Sequence, residues 1–102
     1  MRRAESRDKD SFIRWARRTG RYARRVGAGP FVATGTLDVH VVLGGKAYGR
    51  ACWLEFKIPG ESATRVQVAE IAALRRAGAV AEVVHSAEEA EQCVLAYERG
   101  LR

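Results

Sequence analysis

Two carboxylates and a lysine have the types and spacing to do chemistry in this chain: Asp38 in "TLDVHVVL", and Glu55 with Lys57 in "WLEFKIPG". Both runs alternate as strands do, so side chains two residues apart share a face. Trp53, Glu55 and Lys57 fall on one face, and Cys52, Leu54, Phe56 and Ile58 on the core face. Upstream, Leu37, Val39, Val41 and Leu43 share one face, which leaves Asp38, His40 and Val42 on the other. The intervening "GGKAYG" reads as a hairpin connection. A hairpin symmetric about Lys46 and Ala47 pairs Leu43 with Arg50 and therefore Asp38 with Glu55, whereas a turn centred on Gly44 and Gly45 sets Asp38 opposite Ala51. In the first register two carboxylates stand with Cβ atoms ~4.5–5.5 Å apart, which destabilises a sheet unless something compensates.

A divalent cation is such a compensation. Mg²⁺ (or Mn²⁺) accepts a couple of carboxylates and a backbone carbonyl, keeps several waters, and can hold a phosphate oxygen in a remaining position. Lys57 on the same face can reach the attacking water or the scissile phosphate. These are the parts of phosphodiester hydrolysis: a metal that activates water and polarises phosphorus, and a cationic side chain that orients or stabilises. His40 lies on the Asp38 face, but a lone histidine is more often a hydrogen-bonded neighbour than a participant. Trp53 reads as a packing residue, against DNA, a partner subunit or a helix.

The elements that must position these groups follow from periodicity and punctuation. Asp10 or Ser11 can cap a first helix running to about Thr19, with Phe12, Ile13, Trp15 and Ala16 as its apolar face and Gly20 as its end. "RYARRV" reads as a short strand or as more helix, with the strand preferred, and "GAGPFVATG" reads as a loop. After the two strands of the hairpin, Ser62 or Thr64 starts a helix that stops at Gly78. "VAEVVH" is a further strand, and Ser86 with Glu89 has capping-box spacing at the start of a last helix. The order is α-β-β-β-α-β-α, an α/β fold with a mixed sheet flanked by helices. A chain of 102 residues holds one core and one domain.

Charge divides the chain unevenly. Residues 1–26 hold ten Lys/Arg against three Asp/Glu, and residues 27–102 hold eight against nine, so the net +6 comes entirely from the first quarter. That segment, a basic N-terminal helix and arm packed on the core formed by 27–102, interleaves Arg14, Arg17, Arg18, Arg21, Arg24 and Arg25 with Trp15 and Tyr22. The combination suits phosphate contacts and base stacking, and so DNA as a partner. No apolar run approaches the ~20 residues of a membrane span, and the charged start lacks the apolar stretch of a signal peptide. Cys52 and Cys93 have no metal-ligand spacing and read as reduced, packed thiols of a cytoplasmic protein.

At these residues the chain resembles a family. Gly35 and Asp38, Glu55-Phe56-Lys57 as an ExK, Pro59, Gln67 on the next helix, then "RRAG" and "VVHS" are similar in order and context to the stand-alone VRR-NUC domain of phages and bacteria. That domain is a branch of the PD-(D/E)xK nuclease superfamily, with a restriction-endonuclease-like αβββαβ core. The match spans Gly35 to Glu89, with Leu37 where the motif commonly has Pro. The resemblance implies Asp38, Glu55 and the Phe56 carbonyl as metal ligands, Lys57 as the catalytic lysine and Gln67 as a contributor near the site. It also implies a carboxylate from the first helix, for which Glu5, Asp8 and Asp10 compete and Asp10 has the best spacing. By that resemblance the expected function is a Mg²⁺-dependent, structure-selective DNA endonuclease, a homodimer acting on Holliday junctions or other branched DNA. A nickase or end-processing nuclease without junction preference, and a non-catalytic DNA-binding module, are the alternatives.

Overall fold

The first helix owes its position to a stripe rather than to a cap. Lys9, Phe12, Ile13 and Ala16 are all buried and recur at the three- and four-residue spacing of one helix face. The helix α1 spans Arg3–Arg18 and so begins well before the expected caps Asp10 and Ser11, because "RAESRDKD" is rich in good helix formers and Lys9 extends the buried stripe backwards. The structure, a computed structural model, describes residues 3–27 and 35–102, with side chains from Ser6 onward. The loop expected over "GAGPFVATG" therefore falls mostly outside the described residues.

The remaining elements are β1 (Ala23–Arg25), β2 (Val39–Val42), β3 (Ala51–Phe56), α2 (Arg65–Arg76), β4 (Val80–Val84) and α3 (Ala87–Glu98), the order expected from the sequence. The sheet runs β1-β2-β3-β4, antiparallel across the first two pairings and parallel between β3 and β4. A parallel pair needs a crossover, and α2 supplies it. On one face α1 and α3 cover the main core, in which Phe12, Val39, Val41, Leu54, Phe56, Val84 and Val94 are essentially inaccessible. On the other, α2 covers a smaller cluster of Leu37, Ile71 and Ala81, with Trp53, Leu74 and Val83 at its margin. Leu37 thus departs from the alternation expected of it with Val39, because the chain bends at Asp38 before β2 begins.

Both later helix starts are held by side chains. The Thr64 hydroxyl accepts from the Gln67 N–H at 3.2 Å, and Gln67 Oε1 accepts from the Thr64 N–H at 2.9 Å, a reciprocal cap. Ser86 Oγ accepts from the Glu89 N–H at 3.0 Å, while Glu89 reaches the N–H of His85, so that cap is only half the expected box. The hairpin turns through a single 3-10 turn, Gly45–Ala47, which lies against the end of α3. Cys52 and Cys93 are free and buried. No helix among the described residues is long and apolar enough to cross a membrane.

Candidate active site

Register decides whether the two carboxylates meet. Val39 pairs with Leu54 and His40 with Trp53, and the Leu43 N–H donates to the Arg50 carbonyl at 3.0 Å. One step beyond the last paired residues, Asp38 stands opposite Glu55. This is the register symmetric about Lys46 and Ala47. Asp38 is pinned from two strands: its carbonyl accepts from the Val26 N–H at 2.8 Å, and its Oδ2 accepts from the Phe56 N–H at 3.0 Å.

Glu55 is the more deeply placed of the pair, only 3% exposed. Lys57 Nζ lies 3.4 Å from Glu55 Oε2, whereas Oε1 is buried and has no hydrogen-bond partner. Burial first, and then the neighbouring charge of Asp38, push the Glu55 carboxyl up to about 7, while Lys57 pulls in the opposite direction. An orphaned buried acceptor is costly unless some positive group completes it. Asp38 and Glu55 present carboxylate oxygens only, a donor chemistry that suits a hard divalent ion. Among the described residues no cluster of three or more His, Cys, Asp or Glu could hold a metal.

The six arginines singled out from the sequence line one groove of about 790 Å³ between α1 and β1, together with Asp10, Ile13, Tyr22 and Ala23. They do not all do the same work there. Arg17 Nε donates to the Ala23 carbonyl at 3.0 Å, and Arg21 grips Glu98 through Nε at 2.9 Å and Nη2 at 2.6 Å while lying over the Trp15 ring. These two hold the fold. Arg14, Arg18 and Arg24 project outward and are exposed. Arg25 and Asp10, both in the lining, pair at 2.9 Å, and the next residue, Val26, donates its N–H to the Asp38 backbone carbonyl.

A solved structure described as a VRR-NUC domain matches this architecture with a TM-score of 0.76, covering 92% of this chain and 97% of that one at 21% identity. The chain has the VRR-NUC fold. No family model and no curated protein matches it.

Within the VRR-NUC fold the other expected site residues take different places. Asp10 is exposed and engaged with Arg25, and Asp8 accepts from the Ala87 N–H at 3.3 Å, at the start of α3. The side chain of Glu5 lies outside the described residues. Helix geometry explains this, since successive residues on α1 are rotated ~100° apart and the residue aimed at Asp38 is Lys9, which Asp8 and Asp10 flank. Lys9 Nζ lies 3.5 Å from Asp38 Oδ1, an ion pair that the sequence alone does not predict. Its signal was the position of a lysine on the buried stripe. Gln67 spends its side-chain oxygen on the start of α2. His40 stacks on Trp53 at 4.4 Å, with Tyr22 edge-on at 6.2 Å, and both burial and Arg24 lower its pKa. It is a packed aromatic neighbour within the VRR-NUC sheet.

Proposed function

We propose that the chain is a metal-dependent DNA nuclease that hydrolyses phosphodiester bonds at Asp38, Glu55 and Lys57. The observation that carries this reading is the opposition of Asp38 and Glu55 across the hairpin, with a buried Glu55 oxygen lacking a donor and Lys57 alongside. Asp38, Glu55 and the Phe56 carbonyl would hold Mg²⁺ or Mn²⁺, which when bound supplies Lewis acidity and lowers the pKa of a water. The Lys57 ammonium, fixed by Glu55, orients a nucleophilic water or stabilises the charge that builds on phosphate. Arg14, Arg18 and Arg24 hold flanking phosphates along the groove, positioning the strand without reading its sequence.

The finer reading is a two-fold dimer that acts on branched DNA, Holliday junctions foremost. One chain carries one such centre, and symmetric resolution of a junction needs two cuts related by a two-fold axis. Its support is the motif resemblance and the matching fold. The test is cleavage of a synthetic four-way junction beside a linear duplex and a flap of the same sequence, with and without Mg²⁺, combined with light scattering at tens of micromolar. Metal-dependent, paired cuts in the junction by a dimer are expected. Equal cutting of all substrates by a monomer would move the assignment to a nickase or end-processing nuclease, and tight binding without cleavage would leave a DNA-binding module.

A further inference from the structure

Lys9 is the buried charge that phosphodiester hydrolysis at Asp38, Glu55 and Lys57 leaves unused. It is 4% exposed, it continues the apolar stripe of Phe12, Ile13 and Ala16, and its ammonium lies 3.5 Å from Asp38 Oδ1. The other oxygen, Oδ2, is taken by the Phe56 N–H. Each oxygen of the Asp38 carboxylate thus already faces a donor group, one of them charged. The centre as a whole is balanced, with two carboxylates, Asp38 and Glu55, set against two ammonium groups, Lys9 and Lys57.

We propose that Lys9 is a positioning residue that acts as an internal counter-ion, competing with the divalent cation for Asp38 and holding metal affinity down. The inference rests on Asp38 being a metal ligand, as proposed for the nuclease reaction. A divalent ion that shares Asp38 with a nearby ammonium meets like charge, and one that displaces the ammonium must leave a buried Lys9 without its partner; both weaken binding. In exchange, the facing carboxylates are neutralised before any metal arrives. The metal-free protein is consequently folded with its ligands in place, rather than splayed apart by their repulsion.

The test is Mn²⁺ binding, followed by isothermal titration and by electron paramagnetic resonance of free Mn²⁺, on wild type, Lys9→Met, Lys9→Arg and Asp38→Asn, with no DNA present. Lys9→Met keeps the length and removes the charge, so it should bind Mn²⁺ about tenfold more tightly and show a lower metal-free melting temperature. Lys9→Arg should remain close to wild type, and Asp38→Asn should lose the site. A residue that only packs the helix would leave affinity unchanged or weaken it when altered. Equal or weaker Mn²⁺ binding by folded Lys9→Met, with wild type still binding through Asp38, overturns the counter-ion role and leaves the metal site standing. Absence of Mn²⁺ binding in both wild type and Lys9→Met overturns the metal reading itself. Should Lys9→Met fail to fold, Mg²⁺ titration of wild type followed by NMR of the lysine Cε and Nζ groups decides. Lys9 signals must then shift with the midpoint of metal binding, and signals that stay fixed while metal binds refute the proposal.

Discussion

Asp38 and Phe56 are joined by a hydrogen bond from the Phe56 N–H to Asp38 Oδ2, 3.0 Å long, which ties one candidate ligand to the residue following the other. Because of it, the Asp38 side chain is anchored to the β3 backbone beside Glu55, through an acceptor oxygen that asparagine also offers. Replacing either carboxylate should therefore alter chemistry more than structure. Asp38→Asn and Glu55→Gln are each expected to lower cleavage by at least ~10³-fold, in the range of losing an electrostatic stabiliser. Both remove negative charge near phosphate and should bind DNA as well as wild type or better. Paired cleavage and gel-shift assays on the same preparations, with circular dichroism, check this, and near wild-type cutting by folded Glu55→Gln would remove the chemical basis of the assignment.

The raised pKa of Glu55 makes metal-free stability depend on pH. Its value rises from 4.5 to about 7 on folding, so the folded state favours the protonated form. The stabilisation is present in full below the unfolded value near 4.5 and is lost as pH climbs through about 7. At about 1.4 kcal/mol per unit, the loss between pH 4 and pH 8 is roughly 3 kcal/mol. Urea denaturation in EDTA should show wild type falling toward alkaline pH relative to Glu55→Gln. Saturating Mg²⁺ should remove most of that difference.

Arg21 and the exposed arginines should separate into two phenotypes. Loss of the two hydrogen bonds to the half-buried Glu98 by Arg21→Gln should cost about 1–3 kcal/mol of stability. Arg14→Gln, Arg18→Gln and Arg24→Gln together should leave the melting temperature nearly unchanged and flatten the slope of log affinity against log salt by roughly 0.9 for each phosphate that is no longer neutralised. Fluorescence anisotropy at several salt concentrations beside thermal denaturation tests both. An unchanged slope assigns the exposed three to solubility.

Gly45 is held at φ +55, and a Cβ there would come 2.6 Å from the Glu98 carbonyl oxygen. Left-handed backbone and the clash act in the same direction, so Gly45→Ala should destabilise by roughly 2–4 kcal/mol. The turn sets the hairpin register, and the register sets Asp38 against Glu55. Activity measured well below the lowered melting temperature should fall too, whereas Gly49→Ala, strained by its own φ of +80 but free of any clash, should disturb activity less.

Gln67 offers a direct comparison of roles. If its work is the cap, Gln67→Ala and Thr64→Ala should each cost about 1 kcal/mol by chemical denaturation and leave turnover within a few-fold of wild type. A large drop in kcat for Gln67→Ala alone would return the residue to the reacting centre.

The sequence by itself determined what depends on near neighbours. Alternation put Glu55 and Lys57 on one face, the length of "GGKAYG" offered a register that opposes Asp38 to Glu55, and the helix punctuation around Thr64 and Ser86 was legible because caps are local chemistry. The tertiary structure alone chose between the two registers, through the 3-10 turn seated on the end of α3. It also sorted the arginines, since the hydrogen bond that removes Arg21 from the exposed set joins residues 77 positions apart. Leu37 changed clusters because of a bend that alternation does not encode. Above all, the first helix delivered Lys9 to Asp38 and turned Asp8 and Asp10 to other partners. Which of three adjacent charged residues meets a strand end depends on the rotation of a whole helix about its axis, and that rotation is fixed by burying Phe12, Ile13 and Ala16 against a sheet built from the rest of the chain.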